Sequence, residues 1–115
     1  AAPTAAEART LVRERKIIRG DFIEAMAGFD AVALPAIPID PPPIDALTDG
    51  GPAYDRANRL ALRNTTLGNQ LDLCAITLPC GTSRAGLPVG LMLMAPKGND
   101  ARLLQLARAV EAVLS

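Results

Sequence analysis

The chain has 115 residues, half of them hydrophobic, with a formal net charge of zero. That length suits one domain around one core rather than two, and that hydrophobicity excludes disorder throughout. Neutrality removes the broad electrostatic ground for binding nucleic acid or an anionic membrane, and no apolar run approaches the ~20 residues of a membrane helix.

Ala5 to Ala27 reads as an amphipathic helix. Leu11, Ile18, Phe22, Met26 and Phe29 recur at spacings of seven, four, four and three, which keeps one face apolar. Gly20 weakens it by about 1 kcal/mol relative to Ala, and Gly28 is a C-cap candidate. The opening residues carry no basic region followed by an apolar stretch, so no signal peptide is expected in them. Asp30 to Leu34 is a short strand candidate that Pro35 and Pro38 bring to an end. Residues 38–53 form a Pro/Gly-rich loop, read as a surface excursion within a single unit spanning 1–115.

Tyr54 to about Gln70 is a second helix, with Ala57, Leu60, Ala61, Leu67 and Leu71 at the helical period. Asn64 falls on that apolar stripe, where a polar group needs a partner. Cys74 to Leu78 is a strand ending at Pro79-Cys80-Gly81, Gly81 to Pro88 is a turn region, and Val89 to Met94 is a strand. Their short connection predicts an antiparallel hairpin. Asn99 or Asp100 caps a last helix with Leu103, Leu106, Ala107, Val110 and Leu114 on its buried face. The order is that of an α/β unit with a small mixed sheet covered by helices. Its two open edges invite pairing with further chain.

Cys74 and Cys80 lie six residues apart in an extended segment. At about 3.3 Å per residue their Cα atoms stand roughly 20 Å apart, beyond disulfide reach. Free thiols favour a reducing compartment, hence the cytoplasm.

The chain contains no histidine, so Ser–His–Asp and Cys–His catalysis are excluded within it, as are zinc sites that use histidine. A Ser83–Lys97 dyad is formally available, but Ser83 sits in the hairpin turn, where serine is common for turn reasons. The glycines match neither a P-loop nor a dinucleotide fingerprint. Arg56, Arg59 and Arg63 share a helix face. The plain reading is a solvated stripe. The sharper one turns Arg63 into a cleft, where its planar fork holds a substrate carboxylate or carbonyl, with Asn64 and Thr65 as neighbouring polar groups.

The segment Arg-Asn-Thr-Thr-Leu-Gly-Asn-Gln-Leu-Asp-Leu-Cys-Ala-Ile-Thr-Leu-Pro-Cys-Gly from Arg63, followed by a turn and Gly-Leu-Pro-Val-Gly-Leu-Met-Leu-Met, resembles the C-terminal region of amidase-signature enzymes. Two flanks agree: the apolar run from Asp30 into Pro35-Ala36-Ile37-Pro38, and Asp100-Ala101-Arg102-Leu103-Leu104 with Glu111 later. The resemblance implies part of a larger α/β/α fold and a Ser–cis-Ser–Lys hydrolase. Such an enzyme cleaves carbon–nitrogen amide bonds through an acyl-enzyme, with no metal and no cofactor. The family's catalytic Lys and both Ser precede the region matched here, so no catalytic residue is carried over. The resemblance places Arg63 and Thr65 near the substrate pocket and Pro35 to Pro38 on the strand end bordering it, which makes Arg63, Asn64, Thr65 and Ile37 the pocket candidates. Asp72 and Cys74 depart from the family's common Gly and Pro.

The expected role is that of the C-terminal part of an amidase, supplying sheet strands and a pocket wall, and inactive alone. Its partners are then a small-molecule amide in the full-length protein and the remainder of the amidase chain, or another copy at the sheet edges, with no nucleic acid or membrane. The rival reading is a stand-alone interaction module that pairs through an open sheet edge.

Overall fold

The computed structural model describes residues 2–114. Helix α1 (Ala5–Ala25) leads to strand β1 (Val32–Pro35), and a long loop with a 3₁₀ turn at Ile44–Leu47 precedes helix α2 (Pro52–Leu71). Strands β2 (Leu73–Thr82) and β3 (Pro88–Pro96) form the hairpin, and helix α3 (Asp100–Leu114) follows.

Local chemistry explains the boundaries. Thr4 opens α1 with a reciprocal cap: its hydroxyl accepts from the Glu7 amide at 3.3 Å, and its own amide donates to Glu7 Oε2 at 2.7 Å. Pro52 stands in the first turn of α2, where its missing N–H costs nothing. Asp72 ends α2 in the left-handed region at φ 52°, its amide donating to Gly68 O. The Asn99 carbonyl accepts the first helical bond of α3 from Leu103 at 2.8 Å.

The strands lie in the order β1-β3-β2, and both pairings are antiparallel. The sheet expected to be mixed thus holds no parallel pair among the described residues. The reason is local: the β2–β3 link is a tight turn, and β1 meets β3 head to tail. Strand β2 continues past Pro79 to Thr82, where a register shift lets the ladder resume. Gly81 lies in that shift at φ 121°, a conformation side chains rarely adopt. Pro79 is tolerated because β2 is an edge.

Strand β3 serves both faces. Leu93 and Ala95 join Leu78, Leu103 and Ala107 in the core under α3, with Cys74, Ile76, Leu91, Leu106 and Val110 packed against it. Met92 and Met94, also buried, point to the other face, where a Cβ at Gly68 of α2 would stand 3.3 Å from Met94 Cε. Both cysteines are free and half-buried on β2, with Cys74 Sγ 3.4 Å from Ala95 O and Cys80 Sγ 3.5 Å from Val89 O.

Helix α1 lies outside that core and rests on α2. Of its expected apolar face, Met26 beyond its end is buried and Phe22 half-buried, but Leu11 and Ile18 are 56% and 59% exposed. What holds it is polar. Arg15 Nε donates to Gln70 O at 2.5 Å and Nη2 to Asn69 O at 3.2 Å, and Arg15 and Arg19 both pair with Asp72. Cations suit this end of α2, whose last carbonyls lack helical donors. The Cα radius of gyration is 17.1 Å, and the extents are 48 × 44 × 18 Å. A compact chain of this length has a radius of about 13 Å. The molecule is a broad, thin slab.

Candidate functional site

Strand β1 stops at Pro35 because the residues after it cannot sustain a ladder. Ala36 still donates to Gly90 O at 2.8 Å, and then Pro38 and Pro41 turn the backbone off the sheet. The departing segment leaves a cleft of about 580 Å³ over the start of β3. That size lies within the range of about 300–1,000 Å³ typical of small-molecule sites. Thr77 and Gly90 contribute to its lining. Gly90 is required by close approach, since a Cβ there would stand 2.6 Å from Thr77 Cγ2 and 3.3 Å from Ala36 Cβ.

The lining is mostly apolar, with Ile37 and Ile39 among its side chains, and it carries one charged group, Asp40. Neither the Asp40 carboxylate nor the Thr77 hydroxyl has a hydrogen-bond partner among the described residues.

Helix α2 fixes the rim. Asn64 Nδ2 donates to Pro35 O at 2.7 Å, which supplies the partner its place on the apolar stripe demands. It also satisfies the carbonyl at the point where β1 leaves the sheet. Arg63 Nε donates to Asn64 Oδ1 over a long 3.4 Å, and its side chain is outside the cleft lining. Thr65 folds back on its own helix, its hydroxyl donating to Leu62 O at 3.1 Å. Of the four residues expected at a pocket, Ile37 lines the cleft, Asn64 anchors its edge, Arg63 touches Asn64, and Thr65 stands apart. Sequence reasoning missed Asp40, Thr77 and Gly90. An isolated glycine inside an apolar strand was the available signal for the last.

Ser83 and Lys97 lie beyond opposite ends of β3, which spans nine residues. At about 3.3 Å per residue they stand some 25 Å or more apart, so they form no dyad. The Ser83 hydroxyl instead accepts from the Ala85 amide at 3.2 Å, within the turn closed by Ser83 N–Leu87 O. Among the described residues no group of three or more metal-ligating side chains comes together.

The family model described as Amidase matches residues 2–104 of the chain. The chain belongs to the amidase family. Its amidase sequence is similar to 2-amino-5-chloromuconic acid deaminase of Comamonas testosteroni, 39% identical over 87 residues that make up 74% of this chain and 18% of that protein. It is similar also to a glutamyl-tRNA(Gln) amidotransferase protein of Halobacterium salinarum, 39% identical over 98 residues, 84% of this chain and 22% of that one. Among solved structures, one described as the crystal structure of amidase superposes with a TM-score of 0.75 at 27% identity, covering 98% of this chain and 26% of its own. The amidase chain thus spans about a fifth of the length of the curated relatives it matches. No helix among the described residues is long and apolar enough to cross a membrane.

Proposed function

We propose that this chain acts within a longer amidase that hydrolyses carbon–nitrogen amide bonds, to which it contributes three sheet strands and one wall of the substrate pocket. The observation that carries this reading is the cleft itself. The Pro35–Pro38 segment, which the resemblance puts at a strand end bordering the pocket, here lines a cavity of ligand size. In this reading Ile37 is apolar wall, Asn64 holds the rim, and Arg63 and Thr65 present polar groups toward the substrate once the remainder of the chain is in place. The acyl-enzyme chemistry belongs to a serine and a lysine outside these residues. Partners are the amide and the remainder of the amidase chain, which meets the open edges of β1 and β2. The two free thiols fit a cytoplasmic setting.

The test uses the full-length natural protein. Ammonia release from a panel of aliphatic and aromatic primary amides is expected, with fluorophosphonate labelling of a serine other than Ser83. Arg63→Ala is expected to raise the KM for amides whose far end bears a carbonyl, leaving kcat for simple amides unchanged. A panel with no turnover, together with a stable folded protein of this length in its native cells, overturns the reading in favour of an interaction module.

A further inference from the structure

The cleft has a chemical bias that the family assignment does not supply. Its walls are proline, isoleucine and valine surface, and its polar side chains without a protein partner among the described residues are the Asp40 carboxylate and the Thr77 hydroxyl, both open to solvent. An ionised carboxylate is acceptor-only, and a hydroxyl accepts as readily as it donates. No lysine or arginine among the described residues lines the cleft, and no ion pair neutralises Asp40. The ligand that suits this space best therefore brings apolar bulk and a charged hydrogen-bond donor. A carboxylate-bearing ligand would meet repulsion there.

We propose that the cleft takes the apolar body of an amide whose far end carries a protonated amine, with Asp40 as its charge partner and Thr77 as a second acceptor. The word amide rests on the function proposed above; the charge preference rests on the cleft alone. Asp40 is exposed, so the pairing is screened by solvent and its effect is modest. An exposed pair corresponds to a preference of up to about fivefold, which falls as salt rises.

The test compares three para-substituted benzamides of similar size on the full-length natural protein: 4-(aminomethyl)benzamide, 4-ethylbenzamide and 4-(carboxymethyl)benzamide. Dissociation constants come from titration at low and at high salt, and hydrolysis is followed separately as ammonia release. The amine-bearing probe is expected to bind more tightly than the ethyl probe at low salt, by up to about fivefold, and the carboxylate probe least tightly. In Asp40→Asn, which keeps shape and exposure, the three probes are expected to bind alike while the affinity of the ethyl probe is unchanged. Equal binding by the wild type, a preference that survives in Asp40→Asn, or no binding of any probe overturns the proposal. Binding with the expected preference but no ammonia release sinks the amidase reading and leaves the cleft preference standing. Ammonia release with no charge preference does the reverse.

Discussion

Arg15 and Asp72 are joined at 2.6 Å across the seam between α1 and the end of α2, and the same guanidinium reaches the carbonyls of Asn69 and Gln70. One side chain thus completes the carboxyl end of one helix while docking another. Both partners are around two-fifths exposed, so the ion pair alone counts for little. Together with the carbonyl bonds, Arg15→Ala is expected to cost about 1 kcal/mol, felt in the docking of α1. Hydrogen exchange reads this directly: α1 amides should lose protection while those of β3 do not. Unchanged protection in α1 refutes the clamp.

Asp72 itself occupies a left-handed conformation in which glycine is the natural residue. Asp72→Gly relieves about 1 kcal/mol of backbone cost and loses the ion pairs to Arg15 and Arg19, together of similar size, so near-neutral overall stability is expected. Asp72→Ala loses both pairs and keeps the strain, and is expected to destabilise by about 1 kcal/mol. Urea denaturation of the two variants side by side checks the difference; equal midpoints would mean that the backbone argument is wrong.

Gly90→Ala drives a methyl against Thr77 Cγ2 at 2.6 Å on one side and Ala36 on the other. Overpacking of this kind costs about 1–3 kcal/mol. Thr77→Ser removes the colliding methyl and keeps the hydroxyl, so the double variant should recover much of the loss. A melting temperature for the double variant no higher than for Gly90→Ala alone would show that Ala36, not Thr77, sets the limit.

Asn64→Ala leaves Pro35 O without its donor at the mouth of the cleft. The expected loss is about 1 kcal/mol in stability. A weakened affinity of the full-length protein for neutral amides should accompany it. Intact affinity would show that the rim keeps its shape without the tether.

The two hydrogen bonds from Thr4 to Glu7 hold the Glu7 carboxyl below its ordinary range, the backbone bond most of all. The sign follows from linkage. A lowered folded-state value means stabilisation that is present above the ordinary carboxylate value and is lost as pH falls through the folded one. The first turn of α1 should therefore fray on acidification below the ordinary carboxylate range, and Glu7→Gln should remove that pH dependence. Amide exchange at residues 5–8 as a function of pH is the measurement.

The helical segments and the hairpin were legible because their apolar residues recur at 3.6 or run unbroken between Pro and Gly. The observed α2 starts at Pro52, two residues before the pattern begins, since proline contributes a helical φ without an apolar side chain. The T-x-x-E cap at Thr4 and Glu7 is a signal that periodicity passes over, because it lies in polar residues ahead of the apolar stripe. Less accessible was the fate of the α1 stripe. Periodicity reports which face is apolar, not what covers it, and Leu11 and Ile18 remain exposed here. The candidate site was half legible. Ile37 and Asn64 were found through motif position and through the need of a stripe asparagine for a partner. Asp40 and Thr77 become visible only when the sheet brings a loop and a neighbouring strand together.

The unbroken apolar run of β3 has a consequence for how the pairing is encoded. In a strand with alternating polarity, a one-residue slip would bury polar groups and be rejected at once. Here a slip would merely exchange Leu91, Leu93 and Ala95 for Met92 and Met94. Hydrophobicity therefore carries almost no information about alignment in this strand. That information resides in the fine print: the gap that only glycine fits at position 90, and the irregular step at Gly81 that pins the hairpin. Substitutions that look conservative by hydropathy at Gly90 and Gly81 would thus act on which partner each residue faces, while bolder exchanges among the leucines and methionines of β3 would leave the alignment unchanged.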